Sequence, residues 1–161
     1  MAARDPANTD WQRDLSVSYE KIGDVQVKQG DLAGALSAYR KALGIRESLA
    51  ARDPANTDWQ RDLSVSYEKI GNVQVQQGDL AGALSSYRKD LGIAETLAAR
   101  VPNNAEWQRD LIVSLVKLGK TSGERTYLIR ALNIAVSLKG ANKLAPADDW
   151  MVDALKKAVA Q

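Results

Sequence analysis

The 161-residue chain contains neither cysteine nor histidine. Without cysteine there can be no disulfide bond, thiolate catalysis or cysteine-bound metal. Without histidine the commonest general base and the commonest transition-metal ligand are missing. No apolar run approaches the roughly 18 residues that suggest a membrane span, and no basic-then-apolar signal segment is found at the start. We therefore expect a cytoplasmic protein that binds no metal, cofactor or membrane.

Charge is nearly balanced but unevenly distributed. The net charge is +2, and residues 1–100 carry 13 basic and 14 acidic side chains, whereas residues 101–161 carry 9 and 6. Nucleic-acid binding would need a basic stripe with stacking aromatic residues, so we do not expect it. The positive bias of the C-terminal part is consistent either with ordinary solvated helix faces or with a site for an acidic partner.

The most informative feature that is present is an internal repeat. Residues 3–50 recur at 51–98 with only six differences: Asp24/Asn72, Lys28/Gln76, Ala38/Ser86, Ala42/Asp90, Arg46/Ala94 and Ser48/Thr96. A third, eroded copy begins at residue 99, and Trp107 follows Trp59 by the same 48 residues as Trp59 follows Trp11. A fixed period of this size predicts stacked units that bury their apolar faces only against neighbours.

Each unit is predicted to form two antiparallel helices of roughly 20 residues. In the first helix, apolar residues recur at helical spacing from the N-terminal end to the turn, at Trp11, Leu15, Tyr19, Ile22 and Val25. Gly30 suits the end of that helix, and Asp31 suits the start of the second, which we expect to run to about Arg52.

Several local contacts can be predicted within the unit. Thr9 and Gln12 have the spacing of a capping box, and Pro6 ends any preceding helix. Gly23 and Gly71 lie inside first helices, where a glycine indicates close helix approach, and we expect Ala35 and Ala83 to be their small partners. The three repeated tryptophans and the tyrosines are predicted to be core residues.

These residues resemble the tetratricopeptide repeat. The resemblance rests on Tyr19-x2-Ile22-Gly23, the turn Gln29-Gly30-Asp31 and Ala35-x3-Tyr39, all of which recur in the second unit. It implies an all-α fold: a right-handed α-solenoid of about three helix–turn–helix repeats plus a C-terminal capping helix, about seven helices. The 48-residue period exceeds the usual 34 of the family and is close to that of HEAT and armadillo repeats, which remain the alternative.

We predict a single array with repeats at 3–50, 51–98 and 99–145 and a capping helix at 146–161. The capping helix has an apolar stripe formed by Met151, Ala154, Leu155 and Ala158; membrane binding through this stripe is the alternative reading. The opening "AARDPANTDW" repeats the letters that close the first unit. The chain is therefore either an excised array or a protein that starts here, and in both cases its first helix should expose a surface that is covered in the interior.

The resemblance implies that the first helices of successive repeats line a groove for a protein partner. The predicted groove residues lie off the apolar stripe, and they are Arg13, Val17, Glu20, Lys21, Asp24, Arg61, Val65, Glu68, Lys69, Asn72, Arg109, Val113, Lys117 and Lys120. We hypothesise that this groove binds a peptide or helical segment with an acidic group near Lys69, Asn72, Lys117 and Lys120.

The sequence favours no catalytic function, because it has no P-loop or dinucleotide-binding motif in addition to lacking histidine and cysteine. The predicted function is a non-catalytic scaffold for protein–protein interaction. The alternative is a structural module that forms homo-oligomers through its exposed N-terminal repeat.

Overall fold

The computed structural model describes residues 8–160, so Pro6, the start of the first predicted repeat and Gln161 lie outside the described residues. Seven α-helices and no strand are found in residues 8–160, as the all-α prediction required. The α-helices are α1 (Thr9–Gln29), α2 (Leu32–Arg52), α3 (Thr57–Gln76), α4 (Leu80–Arg100), α5 (Ala105–Ser122), α6 (Arg125–Gly140) and α7 (Trp150–Ala160), with a short 3-10 helix at Pro146–Asp148 before α7. Over this range, no helix combines the length and apolarity needed to cross a bilayer.

The chain divides into two compact units between Asp90 and Leu91, inside α4. In the first unit, α1 packs against α2 and α2 against α3, and the beginning of α4 contacts α3. In the second unit, α5 packs against α6 and α6 against α7. In each unit, these helices therefore pack on their neighbours in the sequence. This confirms the prediction of a fold built from tetratricopeptide-like helical hairpins.

The turns inside the hairpins form as the sequence predicts. Gly30 adopts the left-handed conformation with φ 80° and ends α1, and its amide reaches back to the carbonyls of that helix. Asp31 then caps α2 by accepting a hydrogen bond from the Gly34 amide at 2.8 Å. Only glycine adopts this φ without strain, which explains why the same residue recurs at Gly78.

The predicted capping box is wrong by one residue. The N-caps of α1, α3 and α5 are Asn8, Asn56 and Asn104, whose side-chain oxygens each accept a hydrogen bond from the amide three residues on at 3.1 Å. Thr9 is already the first helical residue of α1. Asn and Thr are adjacent in the sequence and both are good caps, so residue preference alone could not choose between them.

Tyrosine rings, not alanines, fill the space beside the helical glycines. A Cβ added to Gly71 would lie 2.8 Å from Cδ1 of Tyr87, and one added to Gly23 would lie 2.7 Å from Cδ1 of Tyr39. Ala35 is fully buried, as expected of a close approach, but the ring of Tyr39 makes the contact. The glycines therefore leave room for an aromatic ring directly against the helix backbone.

The core of the first unit is formed where α2 packs on α3. Ala35 and Tyr39 are buried against Ile70 and Val73. The repeated tryptophans do not join the core as predicted: Trp11, Trp59 and Trp107 are only partly buried, because each lies in the first turn of its helix.

Burial differs between near-identical segments of α1 and α3. Ile22 and Val25 are 49% and 52% exposed, whereas their counterparts Ile70 and Val73 are 5% and 1% exposed. The first helix thus exposes the surface that its copy buries, as expected from the sequence, although Ile22 and Val25 belong to the apolar stripe of α1. Met151 and Leu155 of the predicted capping stripe are buried in the second unit, while Ala154 remains exposed.

Candidate functional site

An apolar cleft of about 320 Å³ lies between α5 and α7 in the second unit. We call it the α5–α7 cleft, and it is lined by Ile112, Val113, Val116, Lys117 and Lys120 from α5 and by Trp150, Met151, Ala154, Leu155 and Ala158 from α7. Its size falls within the range of sites that bind small molecules or a few side chains of a partner. Three predicted groove residues, Val113, Lys117 and Lys120, line this one cleft.

Helical spacing places the α5 residues on one face. Val113, Val116, Lys117 and Lys120 follow one another at intervals of three, one and three residues, so their side chains project to the same side of the helix. Ile112 is buried at the floor, Val113 and Val116 are partly buried, and Lys120 is exposed. The arrangement gives an apolar surface with basic side chains toward the C-terminal end of α5.

The opposite wall is held in place by an ion pair at the start of α7. Arg109 donates two hydrogen bonds to the carboxylate of Asp148, from Nε at 2.7 Å and from Nη2 at 3.2 Å. Asp148 is only 6% exposed and lies in the 3-10 helix that precedes α7. A bidentate pair of this kind fixes direction as well as distance, so Arg109 positions α7 opposite α5.

Trp150 is the most exposed large apolar side chain among the described residues. The ring is 63% exposed although it lines the cleft, and it belongs to the first residue of α7. An indole at a cleft edge offers a large apolar area together with one hydrogen-bond donor, a combination that is common at protein interfaces. The repeat offered no signal for this position, because the segment 146–161 has no counterpart in the first two units.

In the first unit, three predicted groove residues come together but bind one another. Lys69 Nζ lies 2.5 Å from Asp24 Oδ1 and 3.5 Å from Glu20 Oε1. Glu20 Oε2 also lies 2.6 Å from Nη1 of Arg46, which reaches across from α2. We call these four residues the Arg46 network. Sequence reasoning did not assign Arg46 to the groove, and the only signal was its replacement by Ala94 in the second copy.

The carboxylate of Asp24 is held in its ionised form by its neighbours. Partial burial alone would raise its pKa, but hydrogen bonds from Lys69 and from the Tyr39 hydroxyl, the latter at 2.6 Å, lower the pKa below its ordinary value. Burial, reinforced by the bond to Asp24, raises the pKa of Tyr39 well above the usual range for tyrosine. The hydroxyl therefore remains a donor and Asp24 an acceptor at neutral pH.

The remaining predicted groove residues of the first unit differ in their contacts and burial. Arg13 donates to Asp62 at 2.7 Å, an ion pair that raises the pKa of Arg13, and Asn72 accepts from the Tyr87 hydroxyl at 2.8 Å. Arg61 and Glu68 make interactions within the protein, Val17 and Val65 are partly buried, and Lys21 is exposed. The structure thus brings several of these side chains into contacts that join helices to one another.

The described residues contain no group of three or more acidic, histidine or cysteine side chains arranged to hold a metal ion. The chemistry available at the α5–α7 cleft is apolar contact, hydrogen bonding and attraction of negative charge. It is suited to recognition of another molecule.

Comparison with known proteins identifies the repeat. Residues 17–49 match the family model of the tetratricopeptide repeat. No curated protein matches the chain. Among solved structures, the chain is similar to one described as the crystal structure of MamA protein, with 14% identity, coverage of 82% of this chain and 97% of that chain, and a TM-score of 0.23.

The matched segment contains the Tyr-Ile-Gly, Gly-Asp and Ala-x3-Tyr positions that pointed to this family, and it extends from within α1 to within α2. Its near-identical copy forms α3 and α4. Residues 17–49 are therefore similar to one tetratricopeptide repeat.

Proposed function

We propose that this protein is a non-catalytic scaffold whose α5–α7 cleft binds an amphipathic segment of a partner protein that carries acidic residues. Tetratricopeptide repeats generally mediate interactions between proteins, which supports the assignment of a scaffold function. The observation that carries the specific proposal is the juxtaposition in one cleft of an apolar wall, the basic residues Lys117 and Lys120, and the exposed ring of Trp150.

The apolar wall supplies the affinity in this proposal. The cleft is lined by Val113 and Val116 of α5 and by Met151 and Leu155 of α7. Apolar side chains from a partner that fill this space would be removed from water, at about 25 cal/mol for each Å² of apolar surface buried. A partner helix meets the requirement with residues at intervals of three and four, which is the recurring pattern of helix-in-groove recognition.

The lysines supply the orientation. Lys117 and Lys120 lie on the same face of α5, in the part of the chain that carries 9 basic and 6 acidic residues. Carboxylates at one end of the bound segment would be attracted to them, which sets the register of binding and raises the association rate. Lys69, by contrast, is paired with Glu20 and Asp24, so the partner's acidic group is proposed to contact Lys117 and Lys120 only.

The test uses two labelled amphipathic peptides that share a leucine face and differ in their polar face, one with glutamates and one with lysines. We expect the acidic peptide to bind more tightly, and Lys117→Glu/Lys120→Glu to weaken its affinity by about tenfold or more. A matched variant, Arg88→Glu/Arg125→Glu, changes the net charge equally at exposed positions outside the cleft and should bind as the wild type does.

The outcomes are separable. Binding that depends on the leucine face and on the two cleft lysines supports the proposal, and quenching of Trp150 fluorescence should accompany it. Failure of the acidic peptide to bind, equal affinity for both peptides, or equal loss in the two double variants would exclude the cleft as a site for acidic segments.

Self-association through the N-terminal repeat is the alternative function, and it would use a different surface. The observation in its favour is the exposure of Ile22 and Val25 on α1. Molecular mass measured over a concentration series distinguishes it from the scaffold function, because a chain that remains monomeric at high concentration does not self-associate.

A further inference from the structure

The outer face of α1 is the uncovered copy of a buried interface. Within their helical ranges, α1 and α3 differ only at Asp24/Asn72 and Lys28/Gln76. Ile70 and Val73 of α3 are nevertheless buried, while the corresponding Ile22 and Val25 of α1 are about half exposed. The structure therefore contains one occupied and one open example of the same surface.

The occupied example shows what this surface accepts. The helix that covers α3 is α2, which packs its alanine and leucine face on Ile70 and Val73. Three hydrogen bonds accompany this packing. Arg46 Nη1 donates to the Asp62 carbonyl at 3.1 Å and to Ser66 Oγ at 2.8 Å, and the Tyr67 hydroxyl donates to Glu47 at 2.6 Å.

The open surface has the same polar groups in the same register. Asp14, Ser18 and Tyr19 occupy the positions of Asp62, Ser66 and Tyr67. Ser18 Oγ donates to the Asp14 carbonyl at 2.9 Å, and in α3 Ser66 Oγ likewise donates to the Asp62 carbonyl at 3.3 Å. Asp14 and Ser18 are exposed and Tyr19 is partly buried. The acceptors for an arginine and the donor for a glutamate are thus in place beside the apolar residues.

We propose that this face of α1 is a docking surface for a helix of another protein whose sequence pattern is that of α2. The face is formed by Asp14, Ser18, Tyr19, Ile22 and Val25. The required pattern is an alanine-leucine face followed by adjacent arginine and glutamate. The docked helix would cover Ile22 and Val25 and direct its arginine to the Asp14 carbonyl and the Ser18 hydroxyl. This surface is separate from the α5–α7 cleft.

A second copy of this chain does not offer such a helix. Its own α2 is already packed on α3, with Arg46 only 3% exposed. The near-identical α4 has Ala94 where the arginine is required. A helical hairpin of the same 48-residue type in a different protein can supply both the apolar face and the charged pair.

A synthetic peptide with the sequence of residues 31–53 serves as the probe for this surface. Titrated into the full isotope-labelled chain, it should shift the backbone amide resonances of Ile22 and Val25. The variant Val25→Asp should weaken binding by about tenfold or more, because it places a charge against the docked apolar face. Val136→Asp is the matched control, since Val136 is similarly exposed, at 47%, on α6 and should leave the affinity unchanged.

Two further measurements make the proposal falsifiable. A peptide with Arg46→Ala should bind about tenfold more weakly, since it loses the bonds to the Asp14 carbonyl and Ser18. Absence of binding, or shifts at Ile70 and Val73 that show the peptide replacing α2, would overturn the proposal. The proposal would also be overturned if the molecular mass of the free chain increased with concentration and Val25→Asp abolished that increase. A second copy of the chain would then be the occupant.

Discussion

Arg46 Nη1 lies 2.6 Å from Glu20 Oε2, and the arginine is only 3% exposed. The same guanidinium donates to Ser16 of α1 and to Ser66 and the Asp62 carbonyl of α3. One side chain from α2 therefore joins three helices of the first unit. The second copy has Ala94 at this position, so its near-identical sequence cannot make the same contacts.

Arg46→Ala should lower the free energy of unfolding by about 2–3 kcal/mol, because it leaves the largely buried acceptors without their donor. Arg130→Ala is the control. It breaks an exposed pair in which Nη2 lies 2.7 Å from Glu95, and it should cost less than about 1 kcal/mol. Urea unfolding followed by circular dichroism measures both, and equal losses would contradict the structural role of Arg46.

Gly71→Ala should destabilise the protein by about 2 kcal/mol, because the new methyl group would overlap the ring of Tyr87. That loss outweighs the gain in helix propensity of about 1 kcal/mol. Gly44→Ala is the matched substitution in α2, where a Cβ would meet nothing within 4 Å, and it should stabilise by about 0.5–1 kcal/mol. The melting temperatures of the two variants should therefore move in opposite directions.

Asn56→Ala should cost about 1 kcal/mol, because it removes the acceptor for the Trp59 amide at the start of α3. Thr57→Ala should leave the stability unchanged or raise it by a few tenths of a kcal/mol, since Thr57 is the first helical residue and not the cap, and alanine has the higher helix propensity. Chemical unfolding of the two variants distinguishes the cap seen in the structure from the one expected by spacing. A larger loss in Thr57→Ala would restore the sequence-based assignment.

Acid should remove the contribution of Asp24 to stability. Its pKa is lowered in the folded protein despite partial burial, through the hydrogen bonds from Lys69 and Tyr39. A lowered pKa means that the stabilisation is present above the unfolded value of about 3.9 and is lost as the pH falls through the folded pKa. The difference in unfolding free energy between wild type and Asp24→Asn should therefore shrink between about pH 5 and about pH 2. A difference that stays constant over this range would contradict the prediction.

Local features were predictable because they depend on neighbours in the sequence. Gly30 and Asp31 identified the turn between α1 and α2, and the spacing from Trp11 to Val25 identified α1 as a helix. Helical spacing also placed Val113, Lys117 and Lys120 on one side of α5. The sequence did not indicate that α7 faces them across a cleft, because the Arg109–Asp148 pair that positions α7 joins residues 39 apart.

The charged residues of the first helices were harder to interpret. The sequence predicted that Glu20, Asp24 and Lys69 all line the groove for a partner. In the structure they form ion pairs with one another and with Arg46 from α2. Whether a charged side chain faces a partner or a neighbouring helix depends on the distance between side chains on different helices. The spacing of residues along a single helix does not give that distance.

Amino-acid order alone determined where the helices lie and turn, apart from the choice between Asn8 and Thr9 as the cap of α1, since those properties arise from backbone preferences and short-range hydrogen bonds. Only tertiary packing decided that Ile70 and Val73 are buried while Ile22 and Val25, in nearly the same helix, are half exposed. The physical reason is that a side chain is buried only where a second surface covers it. The helix α2 covers Ile70 and Val73 of α3, and nothing in the described chain covers Ile22 and Val25 of α1 to the same extent.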